Sequence, residues 1–194
     1  MSRRRPRVQY SLNSGNIKKL NEEEIRAILR AADELIATGG RSLLVKILKG
    51  SKDKKVLEHN LQDCPAYGFY RELMMEEISY RVDWMILKDY LRIDYNGRLP
   101  MLIFSEKGWE IERETFAEEL FQRFCQDVKE KKARVIFEMK DVNRQVAFDM
   151  LEKIRDTGDA DFIPLLEEWK TMEVRKVIGR INNVINTLTR GSTL

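Results

Sequence analysis

The chain has 194 residues, 43% hydrophobic and 35% charged, with a formal net charge of +3. That composition suits one large folded domain or two small ones and excludes a polycation, so any nucleic-acid footprint must come from local charge. No apolar run approaches the ~18 residues of a membrane span. The start, Met1-Ser2-Arg3-Arg4-Arg5-Pro6-Arg7, lacks the apolar core of a secretory signal. Two cysteines, Cys64 and Cys125, show no metal-ligand spacing, as in a reduced cytosolic protein.

Residues 1–19 carry Arg3, Arg4, Arg5, Arg7, Lys18 and Lys19 and no acid. They read either as a basic arm that adds secondary DNA contacts or as a solvated tail, with a short extended piece at 8–12. A first helix is expected from Asn21 as N-cap, with Glu22, Glu23 and Glu24 complementing the helix dipole. Ile25, Ile28, Leu29, Ala32 and Leu35-Ile36 form its apolar stripe, and Gly39-Gly40 is expected to end it. A second helix over 42–49 stops at Gly50, and Ser51 is the expected cap of a third over 52–59. A connection over 61–70 holds Pro65 and Gly68, and a helix follows over 75–89 with Ile78, Val82, Met85 and Ile86 inward.

After that helix the period changes to two. Leu91, Ile93 and Tyr95 alternate with Arg92 and Asp94, Asn96-Gly97 is expected as a type I′ turn, and 99–104 returns. Ser105-Glu106-Lys107-Gly108 leads into a long helix lined by Phe116, Leu120, Phe121, Phe124 and Val128. Helices are expected over 142–155, over 162–169 with Pro164 in the first turn, and over 173–188. An echo at 31 residues aligns Arg144, Val146, Met150 and Ile154 with Arg175, Val177, Ile181 and Ile185, within the period range of helical-hairpin repeats.

The elements make a mainly α chain with one β-hairpin: a winged helix followed by an all-helical, HEAT-like region. Expected boundaries are 1–19 for the arm, 20–108 for the winged-helix domain with its core at 40–108, and 109–194 for the helices. Residues 43–50 with Ser51-Lys52-Asp53-Lys54-Lys55, then Ala66-Tyr67-Gly68, the hairpin and the Ser-Glu-Lys-Gly exit, resemble the RQC domain, the winged helix of RecQ helicases. The combination of Lys49-Gly50-Ser51-Lys52 with Tyr67-Gly68 distinguishes this resemblance from one to winged helices in general. The carboxy-terminal part resembles a HEAT-like helical pair.

Two places could meet DNA. Arg41, Lys46, Lys49, Lys52, Lys54 and Lys55 stand against Asp53 alone, and Ser51 opens a helix whose free N–H groups suit phosphate. The helix over 75–89, by contrast, carries Glu76, Glu77 and Asp83, which would face phosphate repulsion in a groove. The second place is the wing, with Tyr95, Asn96 and Arg98. The resemblance implies that the wing meets a duplex end, where Tyr95 stacks on a base pair or only covers the hairpin edge.

The string Lys49-Gly50-Ser51-Lys52 lacks the order and glycine spacing of a phosphate loop, so no motor is expected in these residues. His59, near Asp63 and Cys64, is a poor catalytic pair, and the carboxylate pairs Glu118-Glu119 and Glu167-Glu168 read as solvated faces. The expectation is a stand-alone, non-enzymatic DNA-binding protein of the cytoplasm, associated with the nucleoid, acting in repair, recombination or defence. It should need no cofactor or metal, bind no membrane and act on no small molecule. Its partner is duplex DNA, an end or a junction, read mainly through backbone phosphates. The alternatives are a transcription regulator that puts the 75–89 helix into a groove, and an adaptor that binds protein through 109–194.

Overall fold

A computed structural model describes residues 11–191. Arg3, Arg4, Arg5 and Arg7 of the expected arm, with most of the extended piece at 8–12, lie outside the described residues. The chain divides into two compact units, the first ending at Glu112 and the second beginning at Arg113. It is mainly helical, with one two-stranded antiparallel hairpin among the described residues.

The first unit holds α1 (Glu22–Asp33), α2 (Arg41–Lys49), the short α3 (Lys54–Glu58), α4 (Met75–Leu87), β1 (Leu91–Asn96), β2 (Leu99–Phe104) and the start of α5 (Glu106–Glu130). Asn21 caps α1 in a reciprocal box. Its side chain accepts from the Glu24 N–H at 2.8 Å, and Glu24 Oε2 accepts from the Asn21 N–H at 3.0 Å. The apolar stripe of α1 packs with Leu44, Ile47 and Leu48 of α2, Val82 and Met85 of α4, and Leu91 and Leu102 of the hairpin. This is the winged-helix order, helices followed by a wing.

α1 ends at Asp33 instead of running to Gly39-Gly40. The chain must leave the helix early because 37–39 pairs with the free edge of β2. The Ala37 N–H donates to Leu102 O and the Leu102 N–H to Gly39 O, both at 2.9 Å. The wing turn also differs from expectation. Asn96 pairs with Leu99, so the two-residue loop is Gly97-Arg98. Gly97 has φ +63° and Arg98 has no positive φ, the pattern of type II′.

Glu24 ties α1 to α4 as well. Its Oε1 accepts from the Tyr70 hydroxyl at 3.0 Å and from Arg81 Nε at 3.2 Å. Burial, and next the adjacent Glu24 carboxylate, push the Tyr70 phenol well above its ordinary range. In the unfolded chain the phenol ionises at about pH 10, while the folded one keeps its proton. This contribution is therefore whole below that pH and is lost as pH rises past it. Urea midpoints across this alkaline range should fall more steeply for the parent than for Tyr70→Phe, which is less stable at neutral pH. Parallel slopes would remove Tyr70 from the account.

The second unit holds the remainder of α5, α6 (Arg144–Thr157), α7 (Ile163–Lys170) and α8 (Arg175–Gly191). Leu120, Phe124, Met150, Leu151, Ile154, Leu166, Trp169 and Ile181 are buried in it. Asp127, 2% exposed, accepts from the Val135 N–H at 2.8 Å and pairs with Arg134, fixing the turn after α5. The 31-residue echo holds at Val146/Val177 and Met150/Ile181 and then drifts: Ile154 is buried, but Ile185 is half-exposed and Val184 takes the buried place. Among the described residues no helix is long and apolar enough to cross a membrane.

Candidate nucleic-acid interface

Gly50, which ends α2, has φ +73°, and Gly68 has φ +74°. The two backbones touch: a Cβ added at Gly50 would lie 3.0 Å from Gly68 Cα. The Gly68 N–H donates to Ile47 O, the Tyr70 N–H to Leu48 O, and the Tyr67 hydroxyl to Ser51 O at 3.1 Å. The Gly-Ser and Tyr-Gly motifs are thus two halves of one joint, which fixes where residues 50–55 leave the helix.

Ser51 does not cap α3. The helix starts at Lys54, and Asp53 caps it by accepting from the Lys55 N–H at 3.0 Å. Asp53 also accepts from Lys46 Nζ at 2.7 Å, and these two bonds hold its carboxyl below the usual range, Lys46 contributing most. The Ser51 N–H donates to Lys46 O, and its hydroxyl accepts from the Asp53 N–H at 3.2 Å. A carboxylate therefore occupies the cap where phosphate was expected. What the segment offers an anion is side-chain charge.

The cations sort into committed and free. Arg41 forms a two-pronged pair with Asp83, which is 1% exposed and also accepts from the Asn13 N–H at 2.9 Å. Lys49 Nζ donates to the carbonyls of Arg71 and Leu73. Lys54 makes an exposed pair with Glu58 at 3.4 Å, of the kind worth little. Lys52 and Lys55 are exposed and enter no ion pair with the described residues. Arg71, which the sequence did not single out, lies with its guanidinium against both glycines of the joint, 3.1 Å from where Cβ would stand at Gly68. It is exposed, and no local charge pattern marks it.

A groove of about 400 Å³ separates α2 and α3 from the wing. Ser42, Lys55 and His59 line it from the side of α2 and α3, Leu99 and Met101 from the wing, and Thr38 from the connection before α2. At the wing tip Asn96 and Arg98 are exposed. Tyr95 is half-buried, opposite Pro100 on the face that carries Leu91 and Ile93. Leu99, 63% exposed, is the apolar side chain that projects beside the turn. Sequence alternation missed it because it sets the turn one residue too early. The structure thus brings Lys55 and the wing to one groove, while Arg41 is withdrawn to a buried carboxylate.

On α4, Asp83 is buried and so does not repel phosphate as expected, while Arg81 is engaged with Glu24. Glu76 stays exposed and Glu77 half-exposed, accepting from the Met74 N–H at 2.8 Å. The face remains acidic. Cys64 is buried with its thiol toward Arg30 O, whereas His59 is exposed in the groove.

Residues 18–130 match the family model described as the RQC domain. The chain is similar to the ATP-dependent DNA helicase RecQ of Bacillus subtilis (strain 168), 36% identical over 69 residues. Those residues are 36% of this chain and 12% of the helicase, so the match spans a small part of that protein. No solved structure matches the chain.

Proposed function

This chain belongs to the RQC domain family, and from that premise we propose that it is a non-catalytic DNA-binding protein that holds duplex, end or junction DNA through backbone phosphates. Residues 20–108 are the binding module, and 109–194 are a helical, HEAT-like addition. The observation that carries this reading is the groove with Lys55 on one side and the wing strand on the other. Lys52, Lys54 and Lys55 supply charge, supported by Arg71 at the joint. Asn96 and Arg98 follow the backbone at the tip, and Tyr95 or Leu99 covers a terminal base pair. Ser51 and Lys49 position the segment. Arg41 contributes through the fold, and Arg3, Arg4, Arg5 and Arg7 add unspecific charge. The protein works in the cytoplasm with the nucleoid, in repair, recombination or defence, without a cofactor.

Binding of this kind is steeply salt-dependent, because each neutralised phosphate releases counterions. Charge reversal at Lys52, Lys54 and Lys55 should weaken binding to every sequence alike, and the slope of log K against log salt should flatten by about 0.9 per lost contact. Gel-shift titrations with blunt, forked and single-stranded DNA at two salt concentrations measure both. Unchanged affinity in the triple variant removes the site. An operator-reading role would place α4 in the groove, and the exposed Glu76 with the half-exposed Glu77 opposes it.

A further inference from the structure

The apolar side of α8 is buried through Val177, Ile181, Val184 and Leu188. The opposite side carries Arg175, Lys176, Gly179, Arg180, Asn183, Asn186, Thr187 and Arg190, all exposed. At about 100° per residue these eight positions fall within an arc of roughly 140° and extend along some 22 Å of helix. Four are cations and three carry amide or hydroxyl groups. The chain contains 32 acids, yet none occurs after Glu173. Among the described residues the acid in ion-pair range of the arc is Glu152 of α6, 3.7 Å from Arg180 at its rim; Asp149 lines the same hollow and is paired with Arg113. Arg175, Lys176 and Arg190 enter no ion pair with the described residues.

Gly179 points the same way. It lies inside the arc and inside the helix, where glycine weakens a helix relative to alanine. Packing does not require it, since a Cβ there would meet nothing within 4 Å. A glycine that gives up helix stability without a neighbour to accommodate fits a backbone approached closely from outside. A polyanion lying along the arc would be that neighbour, its phosphates meeting the cations and its closest approach falling at Gly179.

We propose that the exposed face of α8 is a second nucleic-acid backbone site, carried by the helical unit and separate in sequence from the 52–55 segment. The inference rests on the reading that the chain binds DNA. Charge complementarity selects the partner: cations and donors without an acid suit a phosphate chain, and Asn and Thr donors suit phosphate oxygens.

The test uses the full chain, fluorescence anisotropy with a labelled blunt duplex, and a salt series. The variant R175E/K176E/R190E changes three exposed, unpaired side chains and should keep the parent melting temperature. It should bind roughly tenfold or more weakly, with a flatter salt slope, and its loss should add to that of the Lys52, Lys54, Lys55 reversal. Gly179→Ala should raise the melting temperature by about 2–4 °C and yet weaken binding, a combination that a merely solvated helix face would not give. Unchanged DNA affinity and slope in the arginine–lysine variant overturn the proposal. So does a variant that loses only anionic vesicles or an acidic protein, for then the face serves a different partner. If that variant binds as the parent does while the lysine reversal weakens binding, the α8 site falls and the groove stands. If the parent binds no DNA, both fall.

Discussion

Replacing Gly108 with alanine is expected to destabilise the first unit by about 3 kcal/mol, enough to unfold part of the population at 37 °C. An added Cβ would stand 2.0 Å from Tyr90 O and 2.9 Å from Tyr90 C. The obstruction is main chain, so no rotamer change relieves it. The first turn of α5 would have to lift, and with it go four contacts. The Ser105 hydroxyl accepts from the Gly108 N–H at 3.0 Å and donates to Asp89 and Tyr90 carbonyls, and Lys107 Nζ lies 3.5 Å above the Tyr90 ring. Urea denaturation gives the value directly. Glu106→Ala, exposed in the same turn, should stay within ~0.5 kcal/mol of the parent. A Gly108→Ala chain as stable as the parent would mean that α5 does not start against Tyr90.

That position shows why part of the fold was legible. Ser-Glu-Lys-Gly reads as an exit motif because the backbone makes a demand at each end. The serine caps a helix, and the glycine admits a carbonyl. Gly50 and Tyr67-Gly68 are readable for the same reason, since a left-handed residue and a close backbone approach both call for glycine. Such demands are local and leave a residue type at a fixed place.

Other features depend on partners far away in sequence. Asp83 sits among Glu76, Glu77, Arg81 and Lys88, so it looks like surface. Its burial depends on Arg41, 42 residues earlier, and on a main-chain N–H at Asn13. Ser51 and Asp53 are both good caps two residues apart, and Lys46 favours Asp53 by pairing with it. In the wing, Gly97 permits either loop placement, and the pairing of Asn96 with Leu99 selects one. The α8 face was visible as a run without acids, but the apolar stripe opposite points first to packing. Arg71 left no signal, because its place follows from the tertiary joint.

The sharpest separation of fold from function comes at Arg41, which sequence placed among the DNA contacts. Arg41→Ala should cost about 3 kcal/mol, since breaking a buried pair on one side leaves a charge without its partner. The loss stays at the lower end of that range because the Asn13 N–H still reaches Asp83, and the Arg41 side chain is 20% exposed. Thermal and urea unfolding should record it, and the amino-terminal segment at Asn13 should loosen with α4. Replacing both members, Arg41→Met with Asp83→Leu, should recover most of the stability, because the lone charge is then gone and apolar volume fills the site. DNA affinity of that double variant, measured where it is folded, then isolates any direct contribution of the guanidinium. Affinity equal to the parent's makes Arg41 a clamp between α2 and α4. A tenfold loss in the folded double variant would return it to the interface.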